Sequence, residues 1–149
     1  MKRIVTATLT GGMQFEATTH TGHTVVMDAA LEGGGADTGV RPYDLLLVGL
    51  AGCTGMDVVS ILRKKRQTVT AFWIEVEAER APDHPKVYTQ ISVHYHVRGA
   101  GISPAAVERA IELSETTYCS AVATLRASAH VATAYTIHSE DERVLPARV

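Results

Sequence analysis

Apolar and polar positions alternate over residues 2–9, "KRIVTATL", and the β-branched side chains in that run predict a first strand. Gly11-Gly12 signals a turn, and two further short strands are predicted in "MQFEATT" and "HTVVMDA", joined by a turn at Thr21-Gly22. "EGGGADTG", residues 32–39, has no periodicity and predicts a flexible connector. It lacks the Gly-Lys-Ser/Thr ending of a phosphate loop, and no Gly-x-Gly-x-x-Gly stands between a strand and a helix. The pattern then changes. From Pro42, which suits a first helical turn, a long apolar run continues to "RKKR", residues 63–66. Asp44 and those cations sit at the ends that the helix dipole favours. Alternation returns in "FWIEVEAER" (72–80) and "KVYTQISVHYHVRG" (86–99), a hairpin with Pro82 and Pro85 in its turn. Ser103-Pro104 caps a second helix through "AAVERAIELSETTYCS", and "HVATAYTIHS" predicts a last strand. The order βββ-α-ββ-α-β has too few helices for a βαβ repeat. It predicts a single-domain α+β fold, residues 1–149, with antiparallel sheets around a long central helix.

That central helix holds Gly49, Gly52 and Gly55 around Cys53. Each interior glycine costs a helix about 1 kcal/mol relative to alanine. Their three-residue spacing makes one smooth face that another backbone can approach. Leucines, valines and an isoleucine spread round the rest of the circumference. A helix apolar nearly all round is a buried one, set between a sheet and a second element or subunit.

Composition narrows the function classes. Apolar residues make up 46% of the 149, charged residues 20%, and the net charge is −2. This is the balance of a globular protein, with no electrostatic case for nucleic acid or an anionic membrane. The start has no apolar h-region, and the long apolar run is broken by glycines and Asp57, so neither a signal peptide nor a membrane span is expected and the cytoplasm is the expected location. Cys53 and Cys119 are the two cysteines. In such a protein they read as thiols or a redox pair rather than a structural disulfide, although a buried cysteine is most simply a small apolar residue. The sequence permits their sulfurs to meet but does not bring them together. "GCTG" is one residue short of a nucleophile elbow and lies inside a helix.

On these residues the chain resembles a known family. "RPYDLLLVGLAGCTGMDVVSILRKKR" and "TTYCSAVATL" are similar to the central helix and second-cysteine segment of the OsmC/Ohr proteins, osmotically inducible protein C and organic hydroperoxide resistance protein. The element order matches along essentially the whole chain, and the central helix is nearer the YhfA-like branch. The resemblance implies an intertwined homodimer with shared active sites at the subunit interface. It implies reduction of organic hydroperoxides, with Cys53 peroxidatic and Cys119 resolving. The ligand implied is a small hydrophobic peroxide, and the recycling partner a dithiol reductant such as a lipoyl group. It implies no metal and no organic cofactor.

The sequence departs from the family where the peroxidases activate their thiolate with an arginine and a glutamate. Met13 and Tyr43 stand at those positions. Arg41, Tyr43 and Asp44 are the candidates to bind substrate or activate the thiolate in their place, although a loop charge, a packed tyrosine and a first-turn charge are the simpler readings of them. Two alternatives follow from the departure. One is a non-catalytic dimer binding a small hydrophobic or reactive-sulfur ligand near Cys53. The other makes both cysteines inert core residues. Elsewhere, His94 and His96 share one strand face but lack a third metal ligand in sequence. Glu75, Glu77 and Glu79 read as the wet face of a sheet.

Overall fold

In the computed structural model the described residues are 2–142. The chain forms two compact units that divide at Val48 and Gly49. The first holds three short strands, β1 (Thr6–Gly11), β2 (Gln14–Thr18) and β3 (Thr24–Met27), paired antiparallel in that order. Ile4, Leu9, Met13, Phe15 and Leu31 of this unit are exposed.

The "EGGGADTG" segment is not the loose connector its glycines predict. The carboxylate of buried Asp28 organises it. One oxygen accepts the Ala29 N–H at 2.8 Å; the other accepts the N–H groups of Ala36 and Thr38, both at 3.1 Å, and the Thr38 hydroxyl at 2.7 Å. These bonds hold the Asp28 carboxyl down at about 2, the Thr38 hydroxyl contributing most.

A turn of 3-10 helix, Pro42–Asp44, leads into α1 (Leu45–Lys64). By length and composition α1 could cross a membrane, a test that a core helix of a soluble protein also passes. Leu50, Thr54, Val58 and Leu62 are buried at four-residue spacing, one stripe rather than the whole circumference. Gly55 joins that stripe because a Cβ there would come within 2.9 Å of Ile74 Cδ1. Nothing lies within 4 Å of a Cβ built at Gly49 or Gly52, and Met56 is 77% exposed. Just beyond the helix, Arg66 takes the left-handed conformation (φ 56°) that glycine usually supplies, while Gln67 N–H bonds back to Leu62 O at 3.0 Å.

The second unit holds the other sheet. Its strands are β4 (Thr68–Arg80), β5 (Tyr88–Ala100) and β6 (His130–His138), with β5 in the middle. Ile91, Val93, Tyr95, Val97 and Gly99 on β5 alternate into the core. The β4–β5 pair is the expected antiparallel hairpin. The β5–β6 pair is parallel, from Gln90↔His130 to Arg98↔His138, and here the all-antiparallel expectation fails. The reason is the connection. β6 is reached through helices, and a helical crossover returns the chain in its starting direction. That crossover is α2 (Pro104–Leu113), a π-turn (Ser114–Tyr118) and α3 (Ser120–Leu125), where the sequence predicts one continuous helix. Ser103 caps α2 as expected, its hydroxyl accepting from Ala106 N–H at 3.3 Å.

Candidate functional site

The π-turn is what places the second thiol. Its wide ring closes with Cys119 N–H bonding to Ser114 O at 2.8 Å. Cys119 itself leaves the helix (φ −77°, ψ 102°) and becomes the N-cap of α3, its sulfur accepting from Val122 N–H at 3.4 Å. π-turns of this kind recur at functional sites. Cys53 lies on α1, one position before the buried stripe residue Thr54. Both cysteines are free thiols. Their Sγ atoms and a carboxylate oxygen of Asp57 all lie within 4.8 Å of one another.

The two thiols differ. Cys53 is half-buried and Cys119 is 3% exposed. Burial, chiefly, pushes the Cys119 thiol up to about 11, and its neighbour Cys53 adds to the rise. Cys119 therefore keeps its proton at neutral pH.

Behind the sulfurs runs a polar chain that the sequence pattern did not disclose. Tyr95 Oη is 2.6 Å from Thr54 Oγ1, Thr54 Oγ1 is 2.9 Å from Ser114 Oγ, and Ser114 donates to Asp57 Oδ2 at 3.1 Å. Tyr95, Thr54 and Ser114 are fully buried. Burial lifts the Tyr95 phenol to about 12, the bond to Thr54 opposing it in part. Asp57 also lines a cavity of about 360 Å³ with Ile61, Leu113, Tyr118, Lys64 and Lys65. By distance, Cys53, Asp57 and Cys119 are a donor set that could close on a soft metal ion. The same three groups also make a thiol pair with a proton acceptor, and the hydroxyl chain ending on Asp57 favours that arrangement.

A family model for OsmC-like proteins matches residues 34–134. The chain belongs to the OsmC-like family. It is 33% identical to protein YhfA of Escherichia coli K12 over 126 residues, 85% of this chain and 91% of YhfA. A crystal structure of a hypothetical protein from Aquifex aeolicus superposes with a TM-score of 0.83 at 30% identity, covering 95% of this chain and 99% of that one. The organic hydroperoxide resistance protein OsmC of Legionella pneumophila shares the fold at a TM-score of 0.69 and 17% identity, over 91% of this chain and 97% of its own. The expected family, its YhfA-like branch and the α+β architecture are thus in place for this OsmC-like chain.

Arg41, Tyr43 and Asp44 belong to the first unit. Arg41 pairs with Asp37 and donates to the backbone oxygens of Gly39 at 3.1 Å and Asp28 at 3.2 Å. Asp37 and the other acids nearby raise its pKa further. Its charge is thereby tied to the Asp28 loop. Tyr43, half-buried, and Asp44, exposed, form the 3-10 turn that opens the central helix. Met13 and Arg41 line an apolar cavity of about 460 Å³ with Phe15 and Met27.

A second cluster lies on the opposite face of the β4–β5–β6 sheet. His94 and His96 do share that face, and β6 brings the third imidazole that sequence spacing could not supply. His96 Nδ1 is 2.9 Å from His138 Nε2, and Trp73 stacks on both rings at 4.7 and 4.9 Å. Glu75 approaches His96 at 3.5 Å and Glu142 approaches His138 at 3.2 Å. Burial, then the neighbouring His94, lowers the His96 pKa.

Proposed function

We propose that this OsmC-like protein reduces organic hydroperoxides through its two cysteines. The observation that carries the reading is the meeting of Cys53 and Cys119 beside Asp57, from helices far apart in sequence. Cys53, the more accessible sulfur, attacks the peroxide O–O bond as its thiolate and becomes a sulfenic acid, releasing the alcohol. Cys119, protonated and buried, is unsuited to that first step and suited to the second, condensing with the sulfenic acid to a disulfide and water. A dithiol then restores both thiols. Cytoplasmic residence, where such thiols stay reduced, is part of the proposal.

A homodimer is also proposed. The open positions at Gly49 and Gly52, exposed Met56 and an apolar groove of about 400 Å³ lined by Ala51, Gly52, Met56, Phe72 and Trp73 support a partner on that side of α1. A second reading keeps the dimer without turnover, holding a small hydrophobic or reactive-sulfur ligand near Cys53. Met13 and Tyr43, standing where the peroxidases carry their activating arginine and glutamate, favour it.

The deciding assay is consumption of tert-butyl or cumene hydroperoxide, with hydrogen peroxide alongside, using lipoyl and thioredoxin recycling systems. Turnover of the organic peroxide that is abolished in Cys53→Ser and stalls at the sulfenic acid in Cys119→Ser is expected. Consumption no faster than in the two variants would end the reductase reading.

A further inference from the structure

The buried hydroxyl chain has a fixed direction. A carboxylate only accepts, so Ser114 gives its single hydroxyl hydrogen to Asp57 Oδ2. Ser114 Oγ must then accept from Thr54, whose own hydrogen is thereby used. Thr54 Oγ1 must in turn accept from Tyr95 Oη. Three buried O–H groups thus point one way and end on the carboxylate that lies within 4.8 Å of both sulfurs. A chain that only positioned a strand against a helix could close on any acceptor. This one closes on an acid grouped with two thiols.

We propose that Asp57 is the proton acceptor of the cysteine pair, taking the thiol proton of Cys119 as that sulfur bonds to Cys53. The inference rests on the two-cysteine reading above and deepens it. The S–H bond of Cys119 breaks and its proton passes to Asp57. The Cys119 sulfur supplies the electron pair of the new S–S bond. The S–O bond of the Cys53 sulfenic acid breaks, and the departing hydroxide takes the proton back from Asp57 as water. Cys119 sulfur is oxidised, Cys53 sulfur is reduced, and the hydroperoxide has already served as oxidant. In the return direction the dithiol opens the disulfide at Cys53, its thiol proton passes to Asp57, and Asp57 delivers it to the departing Cys119 thiolate.

Three further features agree. The Cys119 thiol is deeply buried and holds its proton, so its attack needs a base within reach. The Val122 N–H at 3.4 Å supports negative charge as it develops on that sulfur. The π-turn begins at Ser114, which holds the base, and its last hydrogen bond ties Ser114 to Cys119, which needs it. One local insert therefore sets both partners. Asp57 also faces the cavity shared with Lys64 and Lys65.

The test separates this step from peroxide chemistry by using diamide, which activates one thiol for displacement by the other without any hydroperoxide. Disulfide closure is followed by stopped-flow thiol loss and intact mass in wild type, Asp57→Asn and Ser114→Ala. Closure at pH 7 is expected to slow by about 100-fold in Asp57→Asn, the general-base range, and by less in Ser114→Ala. The first modification of Cys53 is followed in the same traces, so that closure is read as a step separate from it. The deficit should shrink as pH rises and hydroxide replaces the carboxylate, which lost packing would not produce. If Asp57→Asn fails to fold, Ser114→Ala carries the same comparison one link back in the chain. Equal closure rates with an unchanged pH profile overturn the proposal, whatever the peroxidase assay gives. Asp57-dependent closure in a protein that consumes no hydroperoxide would support the proposal while removing the reductase reading.

Discussion

At the scale of the residue, Cys53 and Cys119 are neighbours with unequal chemistry. Cys119 is buried and pushed up to about 11, whereas Cys53 is half-buried. Brief treatment of the reduced native protein with iodoacetamide at pH 7.5 should therefore modify Cys53 first and leave Cys119 intact until denaturant is added. Peptide mapping reads this directly, and equal labelling of both would contradict it. Thr54 is the middle of the hydroxyl chain. Thr54→Val strips Tyr95 of its acceptor and Ser114 of its donor inside the core, and should cost about 1–3 kcal/mol in urea unfolding. The two thiols were legible in the sequence because cysteine is rare and carries its chemistry in its identity. Ser114 and Tyr95 were not. A serine on a helix and a tyrosine on a strand occur everywhere, and these reach Thr54 across 60 and 41 positions of chain.

At the scale of the element, the departures from the sequence pattern occur where local and tertiary demands differ. "AAVERAIELSETTYCS" has the composition of one helix, yet the π-turn breaks it and frees Cys119 from the helical ladder. Nothing in the side-chain pattern marks that extra residue per turn, since it reflects packing of Ser114 on Thr54 and Asp57. The β4–β5 hairpin, by contrast, was legible, because alternation and a proline-containing turn are both local. Gly99 on β5 fills a need of the same hairpin. A Cβ there would lie 2.0 Å from Thr68 O, against backbone that cannot swing away. Gly99→Ala should destabilise the fold by about 2–3 kcal/mol, the upper range for overpacking. A denaturant midpoint unchanged within error would refute that close approach.

At the scale of the whole molecule, acid should weaken the fold through two groups. His96 has its pKa lowered below the free value of 6.5, by burial first and by His94 next, so its neutral form favours the folded state. That contribution is complete above pH 6.5 and shrinks as pH falls toward the lowered value. Glu75, at 3.5 Å from His96, opposes the shift in part. Asp28 follows at lower pH. Its folded value of about 2 against 3.8 unfolded gives stability that is present above 3.8 and lost as pH falls through 2. Urea midpoints should fall in two stages on acidification. His96→Gln should flatten the upper stage and Asp28→Asn the lower. A variant that keeps its stage would exclude that group as the cause. The proposed homodimer is testable at this scale too. Gly52 has nothing within 4 Å of a built Cβ, so a side chain can start there without meeting its own chain. Gly52→Trp should keep its circular dichroism yet run as a monomer by light scattering, and a surviving dimer would place the interface elsewhere.

Local pattern was enough for whatever rests on near neighbours. Hydrophobic period set the strands and the central helix, and Ser103-Pro104 set a capped helix start. The cysteine-bearing segments carried the resemblance to the OsmC-like family, to which the chain belongs. The packing of distant segments did the rest. It turned β6 parallel, stood His138 against His96, and folded the glycine-rich segment round Asp28. It also gathered Asp57, Ser114, Thr54 and Tyr95 behind the two sulfurs. Those arrangements join residues that no local period connects. A buried hydroxyl or carboxylate takes whichever partner the packed chain brings, and that choice exists only once the chain has folded.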